Sequence, residues 1–214
     1  MRKLGFFLAV FCLVGISSRS HAYPEMVRHG YVNCTSCHIS PNGGGILNGY
    51  GRVQSEEVLS TWAREGEGGV LHGLVPPLDP VSLGGQFRAL QLFRNDSESR
   101  FARYIVMQAD LEAAFKWRNF EAVATAGFQE GAQPFISRRH YLIFRPNEES
   151  PWMLRVGRFQ PAFGINVADH AIATKVGIGL GQGTESYNIE GAWLGESFDL
   201  FATAVFGRPG EDRD

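Results

Sequence analysis

From Tyr104 to Trp117 the chain alternates. Ile105, Met107, Ala109, Leu111, Ala113, Phe115 and Trp117 are apolar, and the positions between them include Gln108, Asp110, Glu112 and Lys116. A helix does not hold that register over so long a run, so the pattern predicts a β-strand with one apolar and one polar, acidic face. The same period of two returns four times. Phe120, Ala122, Ala124, Ala126 and Phe128 face away from Glu121, Thr125 and Gln129; Trp152, Leu154 and Val156 oppose Met153, Arg155 and Gly157. Tyr187, Ile189, Gly191 and Trp193 oppose Asn188, Glu190 and Ala192; Phe198, Leu200, Ala202, Ala204 and Phe206 oppose Asp199 and Thr203. Val81–Arg94 and Ser137–Arg145 read as less regular strands. Short polar turns separate these runs at Asn95–Ser99, Arg118-Asn119, Pro146–Ser150 and Gly195-Glu196-Ser197. The expectation is about seven antiparallel strands over residues 81–214.

Two features go beyond ordinary alternation. Aromatic residues stand at both ends of the apolar stripes, as Phe120 with Phe128, Tyr187 with Trp193 and Phe198 with Phe206, and small apolar residues fill the middle. The opposite face carries Glu, Asp, Arg, Asn and Gln. Lipid outside, a polar interior and aromatic girdles at two interfaces require this arrangement, so an antiparallel up-and-down transmembrane β-barrel is expected. A soluble sandwich or soluble barrel also alternates and remains the other reading. Gly164–Gly183 interrupts the period with Asp169, His170 and Lys175 among frequent glycines. In a barrel it forms a long outer loop or a constriction in which Asp169 and His170 line a pore; otherwise it is a solvated loop.

Before Val81 the periodicity is absent. Arg2 and Lys3 precede an apolar run from Leu4 to Ile16, and Ser20-His21-Ala22 offers small residues where a signal peptidase cuts. Residues 1–22 therefore read as a secretory signal, too short in its apolar run for a membrane anchor. Cleavage removes Cys12 and three cations, which moves the net charge from −2 to −5. That balance excludes broad nucleic-acid binding. Gly and aromatic residues number 26 each and Lys only three, in keeping with a β-rich chain of many turns.

Two cysteines remain, in Cys34-Thr35-Ser36-Cys37-His38. C-x-x-C-H is the attachment pattern of c-type haem. The spacing lets both sulfurs reach the two vinyl groups on one haem edge, and the adjacent imidazole of His38 ligates the iron from the proximal side. Three other readings stand beside it. A thioredoxin-type pair needs a helix after the motif, but Ile39-Ser40-Pro41-Asn42-Gly43-Gly44-Gly45 starts no long helix. Zinc needs four ligands, which His29 would have to complete. A plain disulfide leaves His38 unexplained. The candidates for the sixth iron ligand are His29, Met26 and His72, with a partner's residue or an open position as alternatives. A short helix is expected near Ser55, with Glu56, Glu57 and Trp62, over Leu59–Glu65. Residues 23–80 thus form a haem-binding segment ending in the Pro-rich linker Val75–Pro80.

Tyr31–Gly45, followed by Tyr50-Gly51-Arg52, resembles the N-terminal mono-haem segment of certain outer-membrane proteins of Gram-negative bacteria, in which C-x-x-C-H and a Gly-rich tail precede a β-barrel. The resemblance implies thioethers at Cys34 and Cys37 and iron ligation by His38. Leu154–Gly164 is similar to a strand-and-loop motif of porins, including the phosphate-selective type, in which basic residues line the anion path. Here Arg155 and Arg158 do not share a strand face, and acids (Asp110, Glu112, Glu190) point inward with Arg155. Seven strands do not close a barrel, since single-chain barrels use an even number from eight upward. The chain also ends on the polar run Gly207–Asp214, so a truncated barrel is expected.

The expected function is electron transfer by one covalent haem c at the cell envelope. The barrel would sit in outer-membrane lipid with the haem segment on the periplasmic side, and the redox partner would be another cytochrome or electron carrier. No enzymatic turnover and no nucleic-acid partner are expected. The alternatives are a porin for small solutes with a structural or sensory haem, and a soluble periplasmic cytochrome with a β-domain.

Overall fold

The computed structural model describes residues 30, 31, 33–59, 74, 78–96, 99–128, 134–164, 178–180, 183–195 and 198–207. The chain divides into two compact units, Met1–Asn33 and Cys34–Asp214. The second is mostly β and contains one antiparallel sheet. Its strands are β1 (Val81–Asn95), β2 (Arg100–Trp117), β3 (Phe120–Phe128), β4 (Phe135–Ile136), β5 (His140–Phe144), β6 (Trp152–Phe159), β7 (Ser186–Leu194) and β8 (Asp199–Gly207). They pair in the order β1-β2-β3-β5-β6-β7-β8, with β4 also on β3. Neighbours on that path are antiparallel and follow chain order, with β4 set aside, as up-and-down patterning requires. The sheet is not closed among the described residues, since β1 and β8 each pair on one side only.

Among the described residues eight strands form where about seven are expected. The addition is β4, two residues long and too short to alternate. β2 also begins at Arg100, before its apolar register starts. The reason is pairing: Arg100 to Tyr104 continue the ladder opposite Gln91 to Asn95 past a register shift at Arg88/Ala89. The expected boundary at residues 80/81 falls inside the second unit.

Which face is buried inverts the usual rule for a soluble sheet. Leu111 is 62% exposed and Leu200 58%, while Glu112 is 2% exposed and Glu190 0%. Trp117, Trp152, Leu154, Val156 and Ile189 share the exposed face with Leu111 and Leu200. The register makes this face continuous, with Leu142 opposite Val156, Val156 opposite Ile189 and Trp193 opposite Leu200. Aromatic residues cluster at its two ends. Trp117, Phe120 and Phe144 meet at one end, where Trp193 also packs on Phe198; Phe128 meets Phe135 and Tyr187 meets His140 at the other.

The polar face is filled by paired charges. Arg138 Nε donates to Asp110 Oδ1 at 3.1 Å, Arg139 Nη2 lies 2.5 Å from Glu112 Oε1, and Arg155 Nη2 donates to Glu190 Oε1 at 2.7 Å. Thr125 and Thr203 hydroxyls donate to Glu112 and Glu190, each at 2.8 Å. The Arg155 guanidinium also lies 3.8 Å over the Phe159 ring. Burial of a charge is tolerable only when partners replace its water, and these carboxylates have several each. A smaller apolar cluster, including Ala114, Val123, Ile143 and Met153, lies among them on the same face. We expect Glu190→Leu, which strands Arg155, to lower stability by about 3–5 kcal/mol. Equilibrium unfolding in urea checks it, and replacing Arg155 by Met in the same chain restores part of the loss.

Candidate functional site

Cys34–Ser36 form a single 3-10 turn. The amides of Cys37 and His38 both donate to the Cys34 carbonyl, at 3.2 and 2.9 Å, so both cysteines and the histidine sit on one tight loop. His38 then bridges antiparallel to Leu47, and Ile39 N donates to Ile46 O at 3.1 Å. The chain reverses between them through Gly43, Gly44 and Gly45, whose φ values are 79°, 74° and 70°. Three successive left-handed residues are open to glycine at little steric cost, which accounts for the Gly-Gly-Gly run. At Gly43 the backbone alone calls for glycine, since a Cβ there would lie in ordinary contact with Cys34 Sγ, at 3.6 Å.

Asn48 fastens the motif. Its side-chain amide donates to the carbonyls of Thr35 and Ser36 at 3.0 Å each, and its Oδ1 accepts from Gly51 N at 2.9 Å. It is thereby the N-cap of the helix α1 (Gly49–Gln54). A Cβ at Gly51 would run into the Cys37 carbonyl, so only glycine allows α1 to approach the motif so closely. The short helix therefore begins at Gly49, earlier than the expected start near Ser55, and continues as a π-turn over Ser55–Leu59. Residues 60–65 of the expected helix lie outside the described residues. Asn followed by Gly-Tyr-Gly-Arg is an N-cap signal that reading outward from Glu56 and Glu57 passes over.

The loop is seated on the polar face of the sheet. Ile39, Ser40, Asn42 and Ile46 are buried. Arg155 Nη1 donates to Ser40 Oγ at 3.2 Å, and Gly45 comes so near Glu112 and Arg139 that a Cβ would crowd both. Ile46 packs against Gly84 of β1, and Arg52 Nη2 donates to Leu83 O at 3.4 Å. Residues across the sheet thus hold one loop.

Beside the motif is a cleft of about 680 Å³, within the range of small-molecule sites. Thr35, His38 and Asn48 line one part of it; Lys116, Arg118 and Arg145 line another, at the β2–β3 and β5–β6 turns. Those turns and β7–β8 connect strands at one end of the sheet; the opposite end has the four-residue β1–β2 connection and two longer ones, 129–139 and 160–185.

Cys34 and Cys37 are both free thiols. Burial and the negative charge of Asp199 push the Cys34 thiol above its usual range. Burial lowers the His38 imidazole, against a hydrogen bond to the Gly44 backbone that raises it, and the Arg139 charge lowers it further. The ring is thereby kept neutral, the form that ligates metal. Its Nδ1 is buried without a hydrogen-bond partner. Two free thiols and a neutral, half-satisfied imidazole fit the donors that haem c requires, and of the three residues His38 lines the cleft. Among the described residues no three His, Cys, Asp or Glu side chains converge on a metal position.

Other sequence candidates separate. His29, Met26 and His72 lie outside the described residues, as do Asp169, His170 and Lys175. Arg155 is buried on the polar face, and Arg158 follows on from Gly157 with its side chain off that face. Asp110, Glu112 and Glu190 are each tied to an arginine, two of which (Arg138, Arg139) alternation does not single out. His140 contacts Tyr187 and Ser137 and takes no part in the motif. Comparison with protein-family models, curated proteins and solved structures finds no match to this chain.

The raised Cys34 pKa gives a direct prediction. In haem-free protein, alkylation of Cys34 is slow at neutral pH and rises only above the ordinary thiol range. Asp199→Asn moves that rise to lower pH, and the rate against pH, read by mass spectrometry of the labelled peptide, checks both statements.

Proposed function

We propose that this chain is an outer-membrane β-barrel protein that carries one covalent haem c and transfers electrons at the cell envelope. The observation that carries the reading is the combination of an exposed apolar sheet face with a half-buried Cys34-x-x-Cys37-His38 motif whose following residues Ile39, Ser40, Asn42 and Ile46 are buried on the polar face. A soluble protein does not leave an apolar face of this extent in water. Lipid contact removes the cost. From Phe120 to Phe128 the strand runs about 27 Å. At the tilt of barrel strands this corresponds to about 20 Å across the bilayer, near the height of an outer-membrane apolar band. Residues 1–22 would direct export.

In this reading Cys34 and Cys37 would hold the haem by thioethers and His38 would ligate its iron. The haem supplies a one-electron iron couple. The protein residues do the rest: Asn48 and Gly51 fix the motif, Arg155 and the Glu112–Arg139 pair hold its loop, and the strands carry it at the membrane. The short-turn end of the sheet is the periplasmic end in barrels of this kind, and the cleft beside His38 is at that end. Electron exchange with a periplasmic carrier follows. The loop over the polar face favours electron transfer over a porin for small solutes, because Ser40 to Ile46 cover the surface along which solutes would pass.

A haem-stained denaturing gel of outer-membrane and periplasmic fractions tests the reading. We expect a haem band in the outer membrane, lost in Cys34→Ala and in Cys37→Ala. Haem confined to the periplasm would keep the cytochrome and remove the barrel. Absence of haem from both fractions would remove electron transfer.

A further inference from the structure

We infer that the rim formed by Lys116, Arg118 and Arg145 is the seat of the two propionate carboxylates of the haem. This rests on the haem reading above and deepens it. A haem bound through its vinyl edge at Cys34 and Cys37 presents its propionates on the edge that leads away from the motif. The cleft that His38 lines has three cations on its β2–β3 and β5–β6 side. Carboxylates are matched by guanidinium and ammonium groups, Arg best because its donors form a planar fork.

The acids of the cleft are Asp79, Glu121 and Glu148. Glu148 Oε1 lies 2.5 Å from Lys116 Nζ, but both side chains are largely exposed, at 82% and 56%. Such a surface pair is weak and yields to a better-placed carboxylate. Glu121 feels the charges of Lys116 and Arg145, and Arg145 Nη2 also reaches Met153 Sδ at 3.9 Å. Arg118 differs. Its guanidinium lies 5.3 Å over the Trp117 ring, and it takes no carboxylate among the described residues.

The backbone singles out the same residue. Arg118 opens the two-residue β2–β3 turn with φ 52°, and it is the one described non-glycine residue with positive φ. Gly, Asn or Asp ordinarily fills such a position. Arginine held there against its own backbone preference, at the mouth of a cleft, is the mark of a side chain retained for what it binds.

Spectroelectrochemical titration of the haem in the full-length protein, at several pH values, tests the seat. Removing cations stabilises the ferric iron and the protonated propionates. For Lys116→Gln with Arg118→Gln we expect a lower midpoint potential than wild type. The inflection of potential against pH moves upward, and haem staining is unchanged. Glu148→Gln, which releases Lys116, moves the inflection downward. Arg118→Gly relaxes the turn, so its melting temperature equals or exceeds wild type while its potential still falls. That split separates propionate binding from turn structure, and it carries the test alone should the double variant not accumulate. Equal haem staining with unmoved potential and inflection overturns the seat and leaves the haem reading intact. A wild-type protein without a haem band overturns both.

Discussion

The Arg155–Glu190 pair sets the terms for the rest of the molecule. Both side chains are almost wholly buried, and both lie on the face that a soluble sheet would give to water. Ionised groups so placed need partners in place of the water they lose. Glu190 finds them in Arg155, Thr203 and the amide of Ala162. Arg155 uses Glu190, the Phe159 ring and the Ser40 hydroxyl, and its buried Nε is left without a hydrogen-bond partner. The Ser40 contact ties the sheet to the motif, because Ser40 belongs to the loop that carries the cysteines. The charge balance of the sheet and the placement of the motif are therefore one problem.

The glycines of residues 43–45 follow from the same constraint. A loop laid on a surface of fixed charges must turn tightly and come close to side chains that cannot withdraw. Gly45 meets Glu112 and Arg139, which are already committed to each other. The glycine run after the motif is thus a fitted part of the loop. On the proposed reading it explains how so short a segment can hold a haem without the helices of a small cytochrome: it uses the sheet as its wall.

The strands were legible because each regular one repeats its period over five or more positions, and antiparallel pairing follows from their short polar turns. Alternation alone does not say which face is covered; Leu111 and Glu112 alternate equally well in a soluble sandwich. That information lies in contacts from residues 39–46, far away in sequence. β4 and the first residues of β2 are ladder extensions with no pattern of their own. At the site, Cys34, Cys37 and His38 are adjacent in sequence and so could be read directly. Asn48, Arg139 and Arg155 reach the motif only through the fold. Barrel closure has no counterpart in the described sheet, whose β1 and β8 edges pair on one side.

The position of the motif also limits what one haem can do. On the proposed reading, the aromatic bands mark the two faces of the bilayer, and His38 lines a cleft at the short-turn end of the sheet. About 20 Å of apolar band then separates this haem from the opposite surface. The polar face between is filled mainly by ion pairs and hydroxyls. A lone haem at one end therefore serves exchange with a partner on that side. Conduction across the bilayer would need a second redox centre, which the described residues do not provide.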